Sequence, residues 1–143
     1  MFVAPSVPAA PTTAISGTTN VLITWVAPAQ GNTLITEYSV AIRQSDGVNY
    51  TAYSGCTGTA ITCTVAITVL KAPPYNLLAG SSVVAQVKAT SLIGSSAYSA
   101  GGNGAVFVAP SIPAAPTTTN PSSTTVRVAW VAPVDGSTPI TEY

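Results

Sequence analysis

The sequence contains no histidine and few charged residues, and both shortages argue against whole classes of function. Charged side chains make up 6% of the chain and the formal net charge is zero, whereas charged residues form about 25% of typical soluble domains. The four basic residues are scattered singly, so we expect no groove for nucleic-acid phosphates. With no histidine and only four acidic residues, a nucleophile–base pair is missing. We therefore expect no enzyme, no cofactor and no metal site.

Long apolar runs are also missing. None approaches the roughly 18 residues that a membrane-spanning helix requires, so we expect no membrane insertion in this segment. Residues Met1–Pro5 lack the basic start and the apolar stretch of a secretory signal peptide. Phe2–Pro5 instead recurs inside the chain as Phe107–Pro110. This match predicts that the sequence begins at a repeat boundary.

Cysteine is scarce, with two residues, Cys56 and Cys63, in one Gly/Thr-rich stretch. An even pair at short spacing in a chain rich in threonine and predicted strands favours a disulfide bond and an oxidising compartment. Two thiols without histidine do not complete a zinc site, and the spacing does not fit a Cys-x-x-Cys redox motif. Two buried, unreactive thiols are the alternative.

The feature that organises the chain is a strand that occurs twice. Val21–Pro28 (VLITWVAP) returns 105 residues later as Val126–Pro133 (VRVAWVAP). Residues 2–38 and 107–143 are identical at 23 of 37 positions. A period of this length corresponds to one small all-β domain, so the sequence predicts one complete repeat and the opening of a second.

The two copies also indicate which face of this strand is buried. Apolar residues alternate along it, and the side that carries Trp25 stays apolar in both copies. On the other side Leu22 is replaced by Arg127, so that side is predicted to face solvent. The residues predicted to form the core are Trp25, Tyr38, Val40, Leu70 and Val87.

Similar alternation elsewhere predicts seven short strands and no helix. They are expected at residues 13–16, 21–27, 35–43, 48–54, 63–70 and 83–90, with the last in two pieces, 95–99 and 105–108. Glycine and proline separate these segments, and Gly101–Gly104 is expected to be a loop or bulge. The pattern favours an antiparallel β-sandwich.

The spacing of these residues resembles that of a fibronectin type III domain. The residues that carry the resemblance are Pro8, Pro11, Val21, Ile23, Trp25, Pro28, Ile35, Tyr38, Val40, Leu70, Gly80, Val83, Val87, Ala89, Gly94 and Ser96. Val83 departs from the family, which usually has a corner-bracing tyrosine there. The cysteine pair and residues 99–105 are similar to a branch found in large extracellular repeat proteins of unicellular eukaryotes.

The resemblance implies an all-β, seven-stranded antiparallel sandwich followed by an incomplete second copy. We expect a Pro/Ala-rich linker over residues 1–12 and a fibronectin type III-like domain over 13–108. A second linker is expected over 109–117, and the first strands of the next repeat over 118–143. Because two strands are not stable alone, Val128 and Trp130 are expected to be covered by a continuing polypeptide or by another copy.

Attached sugars are expected to hydrate a surface with so little charge. Asn49, in Asn-Tyr-Thr, is the candidate for N-glycosylation. The candidates for O-glycosylation, beside prolines, are Thr12, Thr13, Thr117, Thr118 and Thr119. Solvated linkers without sugar are the alternative.

These features predict a non-enzymatic extracellular or cell-surface protein in which tandem modules build a glycosylated filament or coat. Its partners are then copies of itself in a head-to-tail array, and not nucleic acid. Two other functions remain open: an adhesion or receptor module that binds protein or carbohydrate, and a spacer domain of a secreted glycosidase.

Overall fold

The structure is a computed structural model that describes residues 2–143. Residues 3–107, here called the first module, form a sandwich of two antiparallel sheets. Residues 108–143, here called the second repeat, contain one two-stranded hairpin. The elements of the first module are β1 (Thr12–Ser16), β2 (Asn20–Thr24), β3 (Ile35–Arg43), β4 (Tyr50–Ala52), β5 (Thr62–Ala66), α1 (Ile67–Lys71), β6 (Ala85–Ser91) and β7 (Gly94–Ser95).

The seven strands of the first module divide between two sheets, as the sequence predicts. One sheet has the order β1-β2-β5 and the other β4-β3-β6-β7. Alternate residues of β2, β3 and β6 point between the sheets. Trp25 and Tyr38 meet there edge to face, with ring centroids 5.6 Å apart. All five predicted core residues are buried.

The strand predicted over residues 63–70 is shorter than expected. β5 ends at Ala66 and the chain continues into one turn of helix, α1. Ile67 and Leu70, which are both buried, are three residues apart, and this is the spacing of one helix face rather than of a strand. No helix within residues 2–143 is long and apolar enough to cross a membrane.

The last predicted strand is mostly irregular. Only Gly94–Ser95 forms a regular ladder with β6. Beyond it the chain stays beside β6 through single contacts: Ser99 N–H donates to the Val87 carbonyl at 2.9 Å, and Gly102 N–H donates to that of Ala85 at 2.8 Å. The Ser99 hydroxyl also accepts the Val87 N–H at 3.1 Å. Side-chain oxygens therefore replace part of the ladder.

The segment predicted as an amino-terminal linker is packed against its own module instead. Pro5, Pro8 and Pro11 are buried. Val3 N–H donates to the Gly31 carbonyl at 3.2 Å, and Ser6 N–H to that of Ala29 at 2.9 Å. Residues 3–6 therefore lie along the loop between β2 and β3. Composition alone suggests a spacer, because it does not show that the segment packs on the β2–β3 loop, which is distant in sequence.

The second repeat begins with the same hairpin as the first. β8 (Thr117–Ser122) pairs with β9 (Thr125–Ala129), and its Thr117–Ala129 pair occupies the repeat position of Thr12–Thr24 in β1 and β2. No third strand joins this hairpin within the described residues. Trp130 is consequently 53% exposed, whereas Trp25 at the same repeat position is 4% exposed. The Trp130 ring contacts Tyr143, with centroids 6.0 Å apart.

Candidate functional site

The two cysteines are joined in a disulfide, as the sequence predicts. Cys63 lies on β5 and Cys56 lies in the loop that follows β4, with their Cα atoms 5.5 Å apart. Both are buried. In the same loop, the Gly58 carbonyl accepts a hydrogen bond from Tyr38 N–H at 2.7 Å, and the Ile61 carbonyl accepts one from Trp25 N–H at 3.0 Å. The disulfide therefore fixes the segment that crosses from one sheet to the other.

A cavity of about 260 Å³ lies beneath this loop. Trp25, Tyr38 and the disulfide form part of its wall, together with threonines of β5. The Trp25 indole nitrogen is occluded from solvent and has no hydrogen-bond partner among the described residues. Burial raises the pKa of the Tyr38 hydroxyl above its ordinary value. The cavity wall therefore consists mainly of aromatic, hydroxyl and backbone groups.

Asn49, the N-glycosylation candidate, lies in the exposed turn between β3 and β4. The Asp46 carboxylate organises this turn by accepting the N–H groups of Val48 and Asn49, both at 2.9 Å. These backbone bonds lower the pKa of Asp46 below its ordinary value. The Asn49 side-chain nitrogen, to which a sugar would attach, donates to Asp46 at 2.6 Å. A glycan there would replace one of the two hydrogens on this nitrogen and leave the other to make the bond to Asp46.

The threonine candidates for O-glycosylation lie in strands rather than in free linkers. Thr12 begins β1, and the other exposed candidates belong to β8. The latter are Thr117, Thr118 and Thr119. Thr13 is different because it is only 4% exposed. The assumption that it is accessible to a sugar is wrong.

The Thr13 hydroxyl is committed to a buried hydrogen-bond bridge. It donates to the Val83 carbonyl at 2.9 Å and accepts the N–H of Ala105, also at 2.9 Å. Both partners are buried. This bridge joins β1 of one sheet to Val83, where the resemblance leads one to expect a tyrosine, and to Ala105, whose carbonyl accepts the Val83 N–H. Sequence reasoning missed it because a threonine pair beside prolines is typical of a linker.

The most extensive candidate site is the joint between the first module and the second repeat. Phe107 is buried in the first module, where its carbonyl accepts Gly80 N–H at 2.7 Å. The next residue, Val108, is the first residue of the second repeat and is already bonded within it. Its N–H donates to the Ser137 hydroxyl at 2.6 Å, and its carbonyl accepts Ser137 N–H at 3.0 Å. Adjacent residues thus belong to different modules. The linker predicted over residues 109–117 does not hold them apart.

Two clefts lie where the first module and the second repeat meet at this joint. On the first module they are lined by residues of the β1–β2 turn, α1 and the α1–β6 segment; on the second repeat they are lined by the loop after β9. We call the first-module surface the tail pole, formed by Thr19, Ile67, Thr68, Lys71 and Ala79. The facing residues of the second repeat are Ser137, Thr138, Pro139 and Thr141.

A glycine shapes the loop after the second strand in each repeat, which is the loop that faces the tail pole in the second repeat. Gly31 and Gly136 occupy the same repeat position and have positive φ values of 69° and 80°. A Cβ atom at Gly31 would collide with the Val3 carbonyl oxygen, and one at Gly136 would collide with that of Val108. The loop can therefore pair with the preceding segment only if this residue has no side chain. The repeated glycine was the signal in the sequence that could have located the joint.

No protein-family model and no curated protein matches this sequence. Solved structures do match its fold. The sixth fibronectin type III domain of human fibronectin type III domain containing protein 3 is 16% identical, with a TM-score of 0.57, over 80% of this chain and 96% of that one. A fourth FNIII domain of a human protein is 20% identical, with a TM-score of 0.57, over 85% and 87%.

Larger proteins also contain the same fold. Domains A168–A170 of titin match with 21% identity and a TM-score of 0.55, over 72% of this chain. The chain spans only 32% of that titin fragment and 17% of a titin kinase structure with its flanking domains. These likenesses, together with the two-sheet topology, confirm the predicted fold: the first module is a sandwich of the fibronectin type III type.

Proposed function

We propose that this chain is a non-enzymatic structural protein whose fibronectin type III-like modules build an extracellular filament or coat. The observation that carries the proposal is the joint, where Phe107 is buried in one module and the next residue, Val108, makes paired hydrogen bonds with Ser137 of the second repeat. A joint without a free spacer fixes the step between modules. Repetition of a fixed step produces a quasi-one-dimensional array.

Two further observations support an extracellular location. The Cys56–Cys63 disulfide fits an oxidising compartment. Charged residues form only 6% of the chain, and hydroxyl-bearing strands β1 and β8 present exposed threonines. Sugars on Asn49 and on exposed threonines would hydrate this surface and block pairing between the edges of neighbouring sheets.

Two measurements on material from the native source test the proposal. Electron microscopy, with an antibody against the first module as label, should show elongated particles with a regular axial repeat. Isolated compact particles at native concentrations would contradict the array.

Intact-mass analysis tests the sugars separately. A mass above that of the polypeptide, reduced by enzymatic removal of N-glycans, is expected, and Asn49→Gln should abolish that reduction. Asn76→Gln serves as the matched control, since Asn76 is an exposed asparagine outside any glycosylation sequon. A mass equal to the bare polypeptide would exclude the glycans while leaving the array to be judged by microscopy.

A further inference from the structure

We propose that the first module carries, at the end opposite its tail pole, a docking surface for the tail pole of a preceding module of the same repeat. We call it the head surface and define it by Phe2, Val3, Thr33, Leu34 and Thr36. This inference rests on the proposed function, because it names the contact by which the modules of an array would join.

The internal repeat identifies this surface. Adding the period of 105 residues to Thr33, Leu34 and Thr36 gives Thr138, Pro139 and Thr141. These three are among the four residues of the second repeat that face the tail pole across the joint. The loops that carry both sets have the same construction, because Gly31 and Gly136 each make room for the preceding segment. The first module therefore presents, on its free end, the counterpart of a surface that is already docked in the second repeat.

Phe2 provides an independent argument. Its counterpart Phe107 is 4% exposed and is held between the Gly80 N–H and the Ser81 carbonyl of the first module. Phe2 is 69% exposed. A phenylalanine side chain buries a large apolar area when it enters a core. The fully formed environment of Phe107 shows which partner fits Phe2: the core of another sandwich of this repeat, beside the counterparts of Gly80 and Ser81.

The chemistry of the head surface agrees with this partner. Leu34 is 74% exposed and Val3 is 48% exposed. Ile35, which follows Leu34, pairs with Ser91, and the next residue after Ser91 is Leu92, which is 88% exposed. Several exposed apolar side chains at one end of a module are typical of an interaction site. On the tail pole, Ala79 offers an exposed apolar group, and Thr19 and Thr68 offer exposed hydroxyls.

A second copy of the same chain is a poorer occupant than a preceding module. The tail pole of each chain already faces its own second repeat. Another chain could use this pole only if that contact opened. A preceding module would have a free tail pole. It would also be covalently connected in the correct register, because the last residue of that module would be followed by Phe2 just as Val106 is followed by Phe107.

An extended chain tests the proposal. A copy of residues 2–106 is inserted directly before Phe2, which preserves the period of 105 residues and leaves the rest of the protein unchanged. The new chain has two head surfaces, an outer one that is free and an inner one that is expected to dock. Segmental ¹³C-methyl labelling and a soluble paramagnetic probe measure the solvent exposure of each copy of Leu34. The outer copy is the internal control.

We expect the inner Leu34 to be protected from the probe and the outer one to relax as in the parent protein. Leu34→Asp in the inner copy should broaden the range of intermodule distances in X-ray scattering. Val48→Asp in the same copy should leave that range narrow, because Val48 is 75% exposed but lies in the β3–β4 turn. Equal relaxation of both Leu34 copies would overturn the proposal.

The result separates this inference from the proposed function. Protection of both Leu34 copies, accompanied by concentration-dependent dimerisation, would indicate docking between separate chains and would also overturn the preceding-module proposal. Native filaments combined with an exposed inner Leu34 would refute the head surface and leave the array intact. A protected inner Leu34 with no native filament would support the head surface and refute the array.

Discussion

Replacing Thr13 with valine should destabilise the first module far more than its position beside a Pro/Ala segment suggests. Valine keeps the shape of the side chain but removes the hydroxyl that bridges Val83 and Ala105. Val83 is 0% exposed and Ala105 is 2% exposed, so water cannot replace the lost partner. The substitution therefore leaves one carbonyl and one N–H buried without hydrogen bonds.

The magnitude follows from these two groups. A buried donor or acceptor left without its partner costs about 1–3 kcal/mol. The two effects share one hydroxyl and need not add fully, so we expect a loss of about 2–4 kcal/mol in the free energy of unfolding. This is a large fraction of the roughly 5–15 kcal/mol of an ordinary domain.

Urea denaturation, followed by tryptophan fluorescence, measures this loss. Trp130→Phe is used as the background so that Trp25 is the only tryptophan. Thr12→Val, at the exposed neighbouring position, should change stability by no more than about 0.5 kcal/mol. Thr13→Ser, which retains the hydroxyl, should recover most of the stability. If Thr13→Val and Thr12→Val have equal effects, the hydroxyl bridge does not contribute in the way that we argue.

Three further predictions concern the core, the disulfide and the β3–β4 turn. Trp25→Ala should lower the free energy of unfolding by about 3–5 kcal/mol in chemical denaturation, because it empties a buried site; a loss below about 1 kcal/mol would contradict the core assignment. Replacing both Cys56 and Cys63 with serine should cost about 2.5 kcal/mol on the loop-entropy relation, and a thiol titration that finds free cysteines in the folded wild type would refute the bond. The lowered pKa of Asp46 means that its carboxylate stabilises the turn at neutral pH, and this contribution is lost as the pH falls through the folded-state pKa. The Asn49 amide resonance should therefore shift with a midpoint below pH 3.8, the ordinary value for Asp46, and a midpoint above 3.8 would exclude this role.

The sequence predicted those parts of the fold in which apolar residues alternate with other residues along a strand. Trp25, Tyr38 and Val87 lie in such segments, and all three are buried. Alternation is a direct consequence of strand geometry with one face against a core, so it can be read without knowledge of the partner strand. The short spacing of the cysteines likewise allowed a local bond to be predicted.

The features that the sequence did not predict depend on partners far away along the chain. Thr13 bonds to Val83, 70 residues distant, and Pro5 and Pro8 are buried by packing of their segment against the module. The joint at Val108 was missed for the same reason. Composition describes such segments as linkers, because proline, alanine and threonine are typical of extended spacers. Only the three-dimensional path of the chain shows that they are covered.

The disulfide has a consequence for how an array of such modules is synthesised. Its cysteines are seven residues apart in sequence, so the first module can oxidise while little more than half of it has emerged from the ribosome. Closure of so short a loop is rapid, whereas in the proposed array a thiol at the same position of a neighbouring repeat would be about a hundred residues away and would compete at a much lower effective concentration. Each repeat would therefore oxidise independently of its neighbours. A long chain of near-identical modules could in this way avoid scrambling its cysteines, however many repeats it contains.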